Sequence, residues 1–181
     1  MYDGVVPRYD LPRAAPEPLR LVQRFVNSVD DEHGREWLPD ARALDALVAE
    51  HSPGAARAGD EDLRLALELR GQLRALLRVN NGAVPDDDAV EAVNRAAGGV
   101  RLRVGDDGVL RVTPGERPVD RVLAVAFEAM LDGSWARLKA CRQCGWAFWD
   151  PSRNRSGTWC SMQICGNRLK TRAYRRRRAG E

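Results

Sequence analysis

The chain has 181 residues, a formal charge of +3 and 44% hydrophobic residues, enough for one ordinary domain or a medium one with a small appendage, and enough to bury a core. No run of eighteen apolar residues occurs, so no membrane-spanning helix is expected. The Pro-rich, polar start has neither a basic nor an apolar region of the kind a secretory signal needs, which predicts a cytoplasmic protein.

Residues 19–29 place Leu19, Val22, Val26 and Val29 on one stripe beside Phe25, which predicts an amphipathic helix over 18–29. "PDARALDALVAE" predicts a second, with Pro39 and Asp40 at its start. "DEDLRLALELRGQLRALLRV" predicts a long third, acids first and arginines last in the order that suits the macrodipole, closed by Asn80-Asn81-Gly82. Residues 85–97 predict a fourth, with Val90 and Val93 inward and Gly98-Gly99 as its stop. The period then changes to two in "VRLRV" and "VLRVT" around "GDDG", a hairpin signal. "PVDRVLAVAFEAMLDG" returns to helix and ends at Gly133.

Cut at Gly133, the chain separates into parts of opposite sign. Residues 134–181 hold twelve Lys/Arg against two acids, about +10, and the remainder carries about −7. The expected organisation is therefore a mainly helical α+β unit with one hairpin over 1–133, followed by a small basic unit over 134–181. A basic appendage on an acidic body points to a polyanionic partner.

All four cysteines lie in the appendage, as C-x2-C-x15-C-x4-C at Cys141, Cys144, Cys160 and Cys165. Two short pairs with a loop between them let four thiolates converge on one tetrahedral zinc ion. Two disulfides would need an oxidising compartment, and a C-x-x-C redox pair would leave Cys160 and Cys165 unexplained. Four thiolates close the coordination sphere, so the zinc is expected to be structural, and neither histidine, His33 or His51, is near the cluster in sequence. Six of the eleven aromatic residues also fall here, and the alternation in "WAFW" puts Trp146 and Phe148 on one strand face with Trp149 at the strand's end.

Behind Cys165, Asn167 is expected to cap a helix on which Arg168, Arg172, Arg175 and Arg176 share one flank and Lys170 lies on the other. Such a rail would neutralise several phosphates, and Arg153, Asn154 and Arg155 between the cysteine pairs would add a second contact. A frayed, solvated tail is the plain alternative for Arg175 to Arg178.

The segment from Cys141 to Arg178, with its four cysteines, "FWDPSRNRS", "WCSM" and "CGNR", resembles the CGNR zinc-finger family, bacterial proteins regarded as transcription regulators. "FVNSVD", "WLPDARALDALV" and "LELRGQLRALLR" resemble the ABATE domain that precedes this finger in the family. The resemblance implies one zinc on the four cysteines, a treble-clef-like finger, DNA contact through the helix of the tetrad, and sensing of a stress-related, small-molecule signal by the first domain. Gly157 and Thr158 stand where arginines are expected in relatives, which implies fewer phosphate contacts from that loop.

In the body, Asn27 and Arg70 interrupt or border apolar stripes. Each either lines a ligand pocket or serves the structure, Asn27 by bonding backbone and Arg70 in an ion pair. The first functional expectation is a DNA-binding transcription regulator. An RNA-binding accessory protein is the alternative, since an arginine-rich helix serves RNA equally well. An enzyme with its chemistry in the body is the third, and no nucleophile–base pair, phosphate loop or other catalytic residue supports it. No heptad or exposed apolar stripe identifies a dimer face, so the oligomeric state is left open.

Overall fold

The computed structural model describes residues 13–51 and 57–168. Among the described residues five α-helices lie in chain order: α1 (Arg20–Val26), α2 (Ala41–His51), α3 (Asp60–Val79), α4 (Asp87–Ala96) and α5 (Pro118–Leu131). Three antiparallel two-stranded hairpins are interleaved with them: β1–β2 (Val29–Asp30 with Arg35–Glu36), β3–β4 (Arg101–Val104 with Leu110–Thr113) and β5–β6 (Leu138–Ala140 with Ala147–Trp149).

Local chemistry sets the helix ends. Asp40 accepts a hydrogen bond from the Ala43 amide (2.9 Å) and Asp86 one from the Ala89 amide (3.0 Å), each satisfying a donor that a helix start leaves orphaned. Asp62 reaches back from the first turn of α3 to the Gly59 amide (2.9 Å). Gly82, at φ +83°, takes the left-handed turn that leads away from α3.

Two expectations about helices are corrected. The first helix stops at Val26 rather than reaching residue 29, because Ser28 Oγ donates to the Phe25 carbonyl (2.7 Å) and the chain turns into β1 at Val29. In α4 the buried stripe is Ala89, Val93 and Ala96, at i, i+4 and i+7, facing α3. Val90 lies beside that stripe and is 42% exposed.

The β1–β2 hairpin was not anticipated, since two-residue strands show no alternation. In β3–β4 the pairings Leu102↔Val112 and Val104↔Leu110 put four apolar side chains on one face. Only Val112 is buried, and β4 packs on α5. Leu102 and Val104 are 63% and 71% exposed, and Leu131 on α5 is 62% exposed. The hairpin and the end of α5 therefore leave apolar side chains exposed that the sequence had not singled out.

The principal core holds Leu21, Val22 and Phe25 of α1, Leu44 and Val48 of α2, Leu69, Leu73 and Leu77 of α3, and Val119, Val122, Leu123 and Ala126 of α5. Gly133 (φ +78°) turns the chain out of α5, and the same core continues into Trp135, Leu138, Ala140 and Ala147. Alternation along β5 and β6 explains this continuity. Leu138, Ala140, Ala147 and Trp149 face the body, whereas Phe148, paired with Lys139, faces a second cluster made by Cys141, Trp146, Phe148 and Cys165.

Candidate metal centre and nucleic-acid interface

The first cysteine pair sits on a tight turn off β5. The Cys141 amide donates to the Trp146 carbonyl (2.8 Å), the Gly145 amide donates back to the Cys141 carbonyl (2.9 Å), and Gly145 takes φ +72°, a conformation that favours glycine. The second pair spans a π-helical turn, Met162–Gly166. Ser161 Oγ accepts from the Ile164 amide (3.3 Å), and the Ser161 carbonyl accepts from the amides of Cys165 (2.9 Å) and Gly166 (3.1 Å). The residue that caps this turn is thus Ser161. Asn167, expected to be the cap, already has helical backbone angles.

These turns bring four sulfurs together. All four Sγ atoms lie within 4.8 Å of one another, and the Cys144–Cys160, Cys160–Cys165 and Cys144–Cys165 separations are 3.7, 3.6 and 3.6 Å. A zinc–sulfur bond of about 2.3 Å in a tetrahedron gives sulfur–sulfur edges of about 3.8 Å, whereas a disulfide needs about 2.05 Å. The set fits one tetrahedral thiophilic ion, and the cysteines are not disulfide-bonded.

Electrostatics favours the same occupant. Hydrogen bonds from Cys144 and Cys160 lower the Cys141 pKa. The Cys141 hydrogen bond pushes Cys144 up to about 12, the Cys141 and Cys144 thiols raise Cys160, and burial raises Cys165. Thiolates this close repel one another unless a dication neutralises them.

Between the cysteine pairs, the loop that carries Arg153, Asn154 and Arg155 is tied to a buried ion pair. Lys139 Nζ donates to Asp150 Oδ2 (2.9 Å), and both side chains are almost fully buried. Asp150 also accepts from the amides of Ser152 (3.1 Å) and Gly157 (2.7 Å), and Lys139 donates to the carbonyls of Arg155 and Gly157. Burial alone would raise the Asp150 pKa. The hydrogen bonds from Lys139, Ser152 and Gly157 outweigh it and hold the carboxyl well below the usual carboxylate range. A Cβ on Gly157 would lie 2.9 Å from the Asp150 carboxylate, so a side chain cannot enter there without moving the loop. Arg153, Asn154 and Arg155 are exposed, and Arg155 adopts φ +50°.

Arg168 ion-pairs with Glu32 in the β1–β2 turn. Lys170, Arg172, Arg175 and Arg176 lie outside the described residues. Asn27 is buried, donates to the Ala147 carbonyl (2.8 Å) and accepts from the Ala147 amide (2.7 Å). Arg70 makes two 2.7 Å hydrogen bonds to Glu36 and one of 2.9 Å to Ser28 Oγ. In this structure the side-chain amide of Asn27 and both terminal nitrogens of Arg70 engage protein partners.

Sequence reasoning missed the side chains that seat the finger. Asn80 donates to the carbonyls of Trp135 and Leu138 (both 2.8 Å), and Asn81 to those of Ala140 (2.8 Å) and Thr158 (3.0 Å). Gln23 donates to the Ala147 carbonyl (3.2 Å). Trp37 meets Trp146 edge-on at 6.5 Å. The adjacent asparagines were the available signal, because two amides at a helix end exceed what stopping a helix requires.

Among the described residues no helix is long and apolar enough to cross a membrane. A search of curated proteins found no match. Residues 137–178 match the CGNR zinc finger, in which the four clustered cysteines are positioned to bind one structural zinc. Residues 19–134, well over half of the chain, match the ABATE family, described as "Putative stress-induced transcription regulator". The chain therefore belongs to the ABATE family, with a CGNR zinc finger following its N-terminal unit.

Proposed function

We propose that the protein is a DNA-binding transcription regulator in which an N-terminal sensing unit, residues 1–133, is joined to a nucleic-acid-binding finger, residues 134–181. The observation that carries this reading is the convergence of four thiols at the root of the segment that begins Asn167-Arg168. Zinc bound there by Cys141, Cys144, Cys160 and Cys165 would fix the first turn of the basic rail formed by Arg168, Lys170, Arg172, Arg175 and Arg176. The Lys139–Asp150 pair supports a second contact, since it holds Arg153, Asn154 and Arg155 outward on a constrained loop. Cations on a rigid frame engage phosphates without first losing much conformational freedom.

The test is a titration of the zinc-loaded protein with duplex DNA across salt. Affinity should fall steeply as salt rises, chelation should abolish tight binding, and Arg168→Ala should weaken duplex binding and reduce the salt slope by about one phosphate contact. Structured RNA titrated in parallel at matched salt decides between the two polymers, and a clear preference for RNA overturns the choice of DNA. Affinity that survives chelation overturns the role given to zinc.

A further inference from the structure

An acidic turn of the body stands over the arginine of the CGNR tetrad. From the last residue of β1 through the turn to β2 the chain reads Asp30-Asp31-Glu32-His33-Gly34. Asp30 accepts from the His33 amide (3.2 Å), Asp31 accepts from Arg74 (2.6 Å), and Glu32 accepts from Arg168. Asp31 and Glu32 also line a cleft of about 670 Å³ whose other residues include Arg78, Arg142 and Gly145. Two acids thus share a cleft with two cations and pair with two more.

An exposed ion pair between two mobile side chains contributes little. Here both backbones are held. The hairpin is anchored to α3 by Arg70 on Glu36 and Arg74 on Asp31, and Trp37, just past β2, packs on Trp146. Arg168 lies three residues beyond the buried Cys165. Fixed ends present the carboxylate to the guanidinium at a high effective concentration. A carboxylate also offers the same pair of acceptor oxygens as a phosphate.

We propose that the Asp31-Glu32 turn is an in-cis substitute for nucleic-acid phosphate, so that a nucleic acid gains Arg168 only by displacing Glu32. This rests on the nucleic-acid reading given above. The turn is held by arginines of α3, so a change in the helices of the N-terminal unit reaches the finger through this hairpin and sets how readily Arg168 is released.

A double-mutant cycle tests it. Glu32→Gln should tighten duplex DNA binding about fivefold at low salt, and should change nothing in an Arg168→Ala background. Glu61→Gln, which removes an exposed acid at the start of α3, controls for net charge and should have a far smaller effect. If Arg168→Ala alone leaves affinity unchanged, the nucleic-acid role of Arg168 fails. If Arg168→Ala weakens binding but Glu32→Gln does not strengthen it, or strengthens it equally without Arg168, the turn is no substitute. A readout without nucleic acid is the Arg168 guanidinium resonance of the zinc-loaded protein. It should report restricted rotation in the wild type and fast averaging in Glu32→Gln, and fast averaging in the wild type overturns the proposal.

Discussion

The two apolar clusters of this protein are made in different ways. The principal one gathers side chains from five helices and two strands, and its closure depends on area removed from water. The second is four buried residues, two of them cysteines, with Trp37, Cys144, Trp159 and Cys160 packed around them. So few side chains cannot offset the entropy of ordering two knuckles and the loop between them, and a bound ion makes up the difference. The lesson is that β5–β6 belongs to both. One face of the hairpin completes a metal-independent core while the other roofs a metal-dependent one.

Removing the metal tests this difference most severely. Chelation should forfeit on the order of 10 kcal/mol of ordering in the finger, and Cys165→Ser, which removes one of the four ligands, a part of that. Far-ultraviolet circular dichroism should retain most of its helical signal while tryptophan fluorescence changes. Loss of the whole helical signal would mean that the two cores are one cooperative unit.

Asp150→Asn comes next. It leaves the Lys139 ammonium buried without its charge partner, an expected cost of about 3–5 kcal/mol seen by denaturant titration. The same pair sets an acid limit. Because the folded pKa of Asp150 is depressed, its contribution is complete above an unfolded value of about 3.9 and is lost as pH falls below it towards the folded value. Acid unfolding of the wild type should therefore have a component that Asp150→Asn lacks.

Asn27→Ala removes two buried hydrogen bonds to Ala147 and should cost about 1–3 kcal/mol. It should also raise amide exchange at Ala147, which a mere loss of helix stability at α1 would not do. Glu36→Gln, at the half-exposed end of its pair with Arg70, should cost at most about 1 kcal/mol in thermal melts.

How much of this was legible in sequence follows from the range of each interaction. The boundaries of α3 and the two strands of β3–β4 depend on neighbours along the chain, and periodicity with turn residues revealed both. The cysteine cluster was legible for a similar reason, since ligand spacing is a local pattern. The β1–β2 hairpin was too short to alternate. Val90 and Val93 look alike on paper, and only the position of α3 decides which of them is covered. The contacts of Asn27, Asn81 and Glu32 join residues 59 to 136 positions apart, and no feature of one segment names the other.

The inward-facing strand residues Leu138, Ala140, Ala147 and Trp149 also limit how far the finger can be treated as a transplantable part. Grafted onto an unrelated carrier, residues 134–181 would bring a greasy underside with nothing to sit on, together with carbonyls that have left Asn27, Asn80 and Asn81 behind. Chimaeras that exchange N-terminal units within such proteins should therefore be joined so that the C-terminal end of α3 travels with the cysteines, even though the two are far apart along the chain.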